Sequence, residues 1–66
     1  MRITVNGAER EVPDGTGLAD LLRELALPER GVAVERNRAL VRKADYGGCS
    51  LAEGDRLEIV TFVGGG

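Results

Sequence analysis

The 66-residue chain sets nine Lys and Arg against eleven Asp and Glu, a formal charge of −2, and its only aromatic residues are Tyr46 and Phe62. A domain this short buries only ~60% of the surface its unfolded chain exposes and keeps a stability margin of roughly 3–5 kcal/mol, too thin a core to be hollowed out by an enclosed cofactor pocket of on the order of 300–1,000 Å³. Nucleic acid is excluded by the missing positive field and missing stacking aromatics, and a membrane by the lack of any apolar run near ~20 residues.

Arg2-Ile3-Thr4-Val5 alternates, with Ile3 and Val5 on one face of a strand. No signal-peptide apolar region opens the chain, so the expected location is the cytoplasm. Asn6-Gly7 follows at once. It is the strongest short hairpin signal, because both central residues of a type I′ turn need positive φ. Residues 8–12 are therefore predicted to return antiparallel to the first strand. Pro13-Asp14-Gly15 breaks that strand, and Thr16 is a candidate N-cap for a helix.

Leu18, Leu21, Leu22 and Leu25 fall at i, i+3, i+4 and i+7. That spacing puts four leucines on one helical stripe while Asp20, Arg23 and Glu24 face water. Pro28 is the expected stop. Val32 and Val34 then alternate with Ala33 and Glu35. Arg36-Asn37-Arg38 supplies turn chemistry before Ala39-Leu40-Val41, which reads as a second hairpin.

Residues 45–50 show no periodicity and read as a loop. Cys49 lies there alone; with no second cysteine and no histidine in the chain, a disulfide and a zinc cluster of the usual ligands are both excluded, and no metal is expected. Cys49 is read as inert, since among its sequence neighbours only Arg42 and Lys43 are cationic. Arg36, Arg38, Arg42 and Lys43 are read as a solvated hairpin edge. Asp14, Asp20, Glu24, Glu29, Glu53 and Asp55 are likewise read as solvated. Glu53-Gly54-Asp55 is a turn, after which Arg56-Leu57-Glu58-Ile59-Val60 resumes alternation and the last strand ends near Phe62. The order β, β, α, β, β, β predicts an α+β domain over 1–66, a mixed sheet packed on one amphipathic helix, with a flexible tail at 63–66.

That order, the opening Ile3-Thr4-Val5-Asn6-Gly7, Leu18-Ala19-Asp20-Leu21-Leu22, Val32-Ala33-Val34-Glu35-Arg36-Asn37, and above all the closing stretch from Gly54-Asp55-Arg56-Leu57 to Gly64-Gly65-Gly66 resemble the ThiS family, the sulfur carriers of thiamine biosynthesis. The resemblance implies a ubiquitin-like β-grasp fold with the first and last strands adjacent at the sheet centre. It implies a carrier, not an enzyme, that binds no cofactor of its own. An E1-like adenylating enzyme of the ThiF type uses ATP to adenylate the carboxylate of Gly66. A persulfide donor converts it to a thiocarboxylate, and the sulfur passes to a thiazole synthase of the ThiG type.

The residues suit that chemistry. A carboxylate is unreactive until its oxygen becomes a leaving group, which adenylation provides. A narrow partner cleft demands close backbone approach, so Gly64 and Gly65 are the expected threading residues. Val60 and Phe62 have the opposite parity to Leu57 and Ile59 and are candidates for partner docking; a twisted strand end would instead bury Phe62. The alternatives are a carrier resembling the small subunit of molybdopterin synthase, which is usually longer in its middle, and a ubiquitin-like protein modifier.

Overall fold

The computed structural model describes residues 1–28 and 30–62, so Glu29 and the expected tail at 63–66, including Gly64, Gly65 and Gly66, lie outside the described residues. Strands β1 (Arg2–Val5) and β2 (Ala8–Glu11) pair antiparallel with Val5 opposite Ala8. Their turn is the expected one: Asn6 has φ 50° and Gly7 φ 85°, both in the left-handed region that a type I′ turn requires. The second hairpin, β3 (Val32–Arg36) with β4 (Ala39–Val41), repeats the device through Asn37 at φ 51° and Arg38 at φ 71°. Arg38 adopts that conformation with a side chain in place, at a cost of about 1–2 kcal/mol.

The helix differs from expectation at both ends. Helix α1 spans Leu18–Glu24 with Gly17 as its N-cap. The Thr16 hydroxyl does not cap it but donates to the Pro13 carbonyl at 2.6 Å. The start of α1 is held from elsewhere: Leu18 N–H donates to the Cys49 carbonyl at 2.8 Å, and the Asp20 carboxylate accepts from Gly17 N–H at 3.1 Å. At the other end α1 stops well before Pro28. Ala26 takes φ 56°, Ala26 N–H donates to Arg23 C=O at 3.0 Å and Leu27 N–H to Leu22 C=O at 3.3 Å. This pair of bonds is a Schellman cap with alanine where glycine is usual. It terminates the helix without proline.

The stretch expected as a loop, residues 45–50, instead overlaps a 3₁₀ helix, Lys43–Gly48. Short 3₁₀ turns need no apolar periodicity, which is why the pattern did not reveal it. Tyr46 turns inward from it and donates its hydroxyl to the Val32 carbonyl at 3.3 Å.

Strand β5 (Arg56–Thr61) closes the sheet in the order β2-β1-β5-β3-β4. It runs parallel to β1 and antiparallel to β3. First and last strands are thus neighbours at the centre of a mixed sheet, as the resemblance implies. The core lies between the sheet and α1. Ile3, Val34, Leu57 and Ile59 meet Leu18 and Leu21, with Val12 and Leu51 closing the margins. The stripe of four leucines is uneven: Leu18 and Leu21 are fully buried, whereas Leu22 and Leu25 are half-buried. Leu51 is a core residue that the pattern missed. It is fastened by its N–H to the Thr16 carbonyl at 3.1 Å, beside an isolated bridge between Gly17 and Ser50.

Candidate functional site at the end of strand β5

Alternation along β5 sends Leu57 and Ile59 under α1 and leaves Val60 53% exposed. Phe62, one residue past the strand, is 67% exposed. The core alternative for Phe62 is therefore excluded. Val60 sits opposite Ala33, a residue too small to cover it. Leu40, 69% exposed, joins the same face, because it opposes Glu35, which in turn opposes Glu58, two residues from Val60 on β5. Among the described residues, then, all the exposed large hydrophobic side chains lie on the sheet face that α1 does not cover. Leu40 was legible only as part of a hairpin strand, since its face depends on the register between β4 and β3.

The exit of the chain from the sheet is defined by backbone. Thr61 pairs with Val32, and Phe62 N–H adds a further rung by donating to the Gly31 carbonyl at 2.6 Å. Phe62 is the last described residue.

The opposite end of β5 is fixed by a buried charge. Asp55 is 5% exposed, against the expectation of a solvated turn residue. Its carboxylate accepts from Arg36 Nε at 2.8 Å, Asn37 Nδ2 at 3.1 Å and Ala52 N–H at 2.8 Å, and Arg36 Nη2 lies 2.7 Å away. Burial alone pushes the carboxyl up, but the Ala52 amide, Asn37 and the Arg36 guanidinium together outweigh it and hold Asp55 below the usual aspartate value. Arg36 accordingly leaves the expected solvated basic edge and turns into this network. Its Nη1 also reaches Cys49 Sγ at 3.4 Å, so the nearest cation to the half-buried thiol is Arg36 and not Arg42 or Lys43. The partner came from a strand thirteen residues away and left no local signal.

Both turn asparagines also grip β5. Asn6 donates from Nδ2 to the Ile59 carbonyl at 3.0 Å and accepts from Ile59 N–H at 2.7 Å, which extends the β1–β5 pairing past the end of β1. Asn37 accepts from Arg56 N–H through Oδ1 at 2.9 Å, and its own N–H donates to the Arg56 carbonyl at 2.8 Å. The strand that precedes residues 63–66 is thus clamped at its start and middle.

A five-stranded mixed sheet with parallel first and last strands at its centre and one helix across one face defines a ubiquitin-like β-grasp protein. The ThiS family model matches residues 3–66, and the chain belongs to that family. It is 38% identical over 65 residues to the sulfur carrier protein ThiS of Bacillus subtilis, covering 97% of this chain and 98% of that one. It is also 44% identical over 66 residues to a thiazole synthase of Paramagnetospirillum magneticum, where the match spans all of this chain but only 20% of the synthase. Among solved structures, the thiamine biosynthesis protein ThiS of Geobacter metallireducens superposes with a TM-score of 0.83 at 29% identity, with both chains covered in full.

Proposed function

We propose that this chain is a sulfur carrier of thiamine biosynthesis whose working group is the carboxylate of Gly66. The observation that carries the reading is the family match running through residue 66, so that it includes the Gly64-Gly65-Gly66 sequence beyond β5. An E1-like adenylating enzyme joins the carboxylate to AMP and releases pyrophosphate from ATP. The terminal sulfur of a persulfide then attacks the carbonyl carbon and AMP departs with the C–O electron pair. That forms a C–S bond and gives an acyl disulfide; a thiol then cleaves the S–S bond carried over from the persulfide, leaving a thiocarboxylate on the carrier and a disulfide between the donor and the thiol. ATP is bound and used by the adenylating partner; the carrier is substrate, not enzyme, and works in the cytoplasm where ATP is supplied.

The sulfur then goes to a thiazole synthase. The relatives of that name support this partnership, because a stretch resembling this chain lies within their own, much longer polypeptides. Val60 and Phe62, with Leu40, form the surface that docks the adenylating enzyme, and Gly64 and Gly65 thread its cleft.

Intact-mass spectrometry tests the reading. Incubation with the adenylating enzyme, ATP, a persulfide source and a thiol should add the difference between a sulfur and an oxygen atom, and fragmentation should place it on Gly66. The unreacted protein in the same spectrum establishes that Gly66 bears the free carboxylate this chemistry needs. An unchanged mass, or sulfur mapped to Cys49 and lost under reductant, overturns it. Support of thiazole formation, without dithiolene formation on a molybdopterin precursor or amide conjugates on lysines, separates this carrier from the other two classes.

A further inference from the structure

Gly31 meets Phe62 on both sides of a single residue. Its carbonyl accepts the Phe62 N–H at 2.6 Å. Its own φ is 72°, and a Cβ placed on it would stand 3.0 Å from the Phe62 carbonyl oxygen and 3.8 Å from Phe62 Cβ. The first contact is closer than carbon and oxygen tolerate without a shift, and the atom in the way is backbone that cannot swing aside like a side-chain end. The Phe62 backbone is therefore seated against a bare Cα. Other left-handed glycines differ in this respect: Gly15, at φ 88°, has nothing within 4 Å of its Cβ position. Turn geometry alone explains Gly15. It does not explain the contact at Gly31.

Phe62 is also the last described residue, one past the end of β5 at Thr61, and its rung to Gly31 is the last hold on the chain among the described residues. We propose that Gly31 is a positioning residue for the carrier chemistry: by holding the Phe62 backbone between a hydrogen bond and a bare Cα, it sets the direction in which the chain leaves the sheet toward Gly66. The role rests on the sulfur-carrier reading. Once threaded in extended form into a partner's cleft, four residues would reach about 13–14 Å, so a turn of roughly ten degrees at Phe62 would move the far end by about 2 Å. Misplacement of ~1 Å at a reacting centre costs on the order of a hundredfold in rate. A methyl on Gly31 displaces the Phe62 backbone by a few tenths of an ångström; carried to about half an ångström at the far end of an extended chain, that corresponds to roughly tenfold.

The test compares Gly31→Ala with Gly15→Ala. Both place an L side chain at positive φ and should lower Tm, Gly31→Ala by more because it alone also crowds Phe62. Two readouts are taken below both melting points. In amide hydrogen exchange of the free protein, Phe62 N–H should lose protection in Gly31→Ala and keep it in Gly15→Ala. In ATP-dependent adenylation, followed by pyrophosphate release with the E1-like enzyme, Gly31→Ala should lower kcat roughly tenfold with KM within about twofold, since the docking face is untouched. Gly15→Ala should change neither. Equal losses of kcat in the two variants would make the effect one of stability and overturn the proposal, as would lost Phe62 protection with an unchanged kcat. Retained protection in Gly31→Ala would overturn the grip itself. Absence of adenylation in the unsubstituted protein overturns the carrier reading instead, with the exchange result still deciding whether Gly31 holds Phe62.

Discussion

The two faces of the sheet divide the work of this small domain, and β5 carries both. One face places Leu57 and Ile59 beneath Leu18 and Leu21 of α1; the other presents Glu58, Val60 and then Phe62 to solvent. An apolar residue left in water contributes little to stability in a chain whose margin is only a few kcal/mol. The covered face is what folding requires, and the bare face is free to serve a partner. The strand's ends differ in the same sense. Asp55 and its partners lock the start, whereas at the far end the last hold among the described residues is the backbone rung from Phe62 to Gly31.

The largest expected effect lies at the locked end. Asp55→Ala removes the acceptor of Arg36, Asn37 and Ala52 N–H and leaves a partly buried guanidinium unpaired, which should cost ~3–5 kcal/mol and leave much of the chain unfolded. Asp55→Asn keeps the shape and isolates the charge. Because the carboxyl is held below its ordinary value in the folded state, the unfolded chain binds the proton more readily. The contribution is therefore complete above the unfolded aspartate value of ~3.9 and disappears as pH falls through the lower folded value. Urea melts at neutral pH and near pH 3 should show a smaller acid loss in Asp55→Asn than in the unsubstituted protein. Parallel losses would mean that the network does not depend on the charge.

Next comes the covered face. Leu21 is fully buried and Leu22 half-buried, although their helical spacing gives them equal standing. Leu21→Ala should cost ~2–5 kcal/mol, and Leu22→Ala ~1–2 kcal/mol, in keeping with partial burial. Thermal melts of the pair sharpen the boundary between core and rim. Equal shifts would place the edge of the core elsewhere.

Local patterns made much of this legible. Asn6-Gly7 marks a turn because both residues accept positive φ, and Asn37 marks the second although Arg38 beside it takes that conformation at a cost; period-two alternation assigns the faces of β5 without knowing its partners. What escaped is what depends on distant segments. The capping of α1 by the Cys49 carbonyl, the burial of Leu51 and the second role of Asn6 and Asn37 all need the chain folded before the atoms meet. Asp55 was the most misleading residue, because Glu53-Gly54-Asp55 is a sound turn signal whose carboxylate is then enclosed by a hairpin nearly twenty residues away in sequence. In the candidate site, the face of Val60 was legible from parity, Phe62 stayed open between bare face and core until its exposure was seen, Leu40 required the register, and Gly31 required the contact.

The smallest expected effect on stability falls on the bare face, and it separates the two faces most cleanly. Phe62→Ala removes a ring that is already 67% exposed, so the unfolding free energy should move by no more than about 0.5 kcal/mol. In a complex the same ring goes from water into an apolar contact, and full burial of such a side chain contributes ~1.5–3 kcal/mol. KM for ATP-dependent adenylation should therefore rise roughly tenfold or more while Tm stays put, and kcat should change far less than in Gly31→Ala, because the exit rung is made by backbone and survives the truncation. Val60→Ala should act in the same direction with a smaller rise, in proportion to its smaller side chain. A Tm lowered by several degrees in Phe62→Ala would assign the ring to the core, and an unchanged KM would remove the bare face as the docking surface. The contrast with Leu21→Ala is the decisive one: a fold lost with the buried leucine, and a partner lost with the exposed phenylalanine.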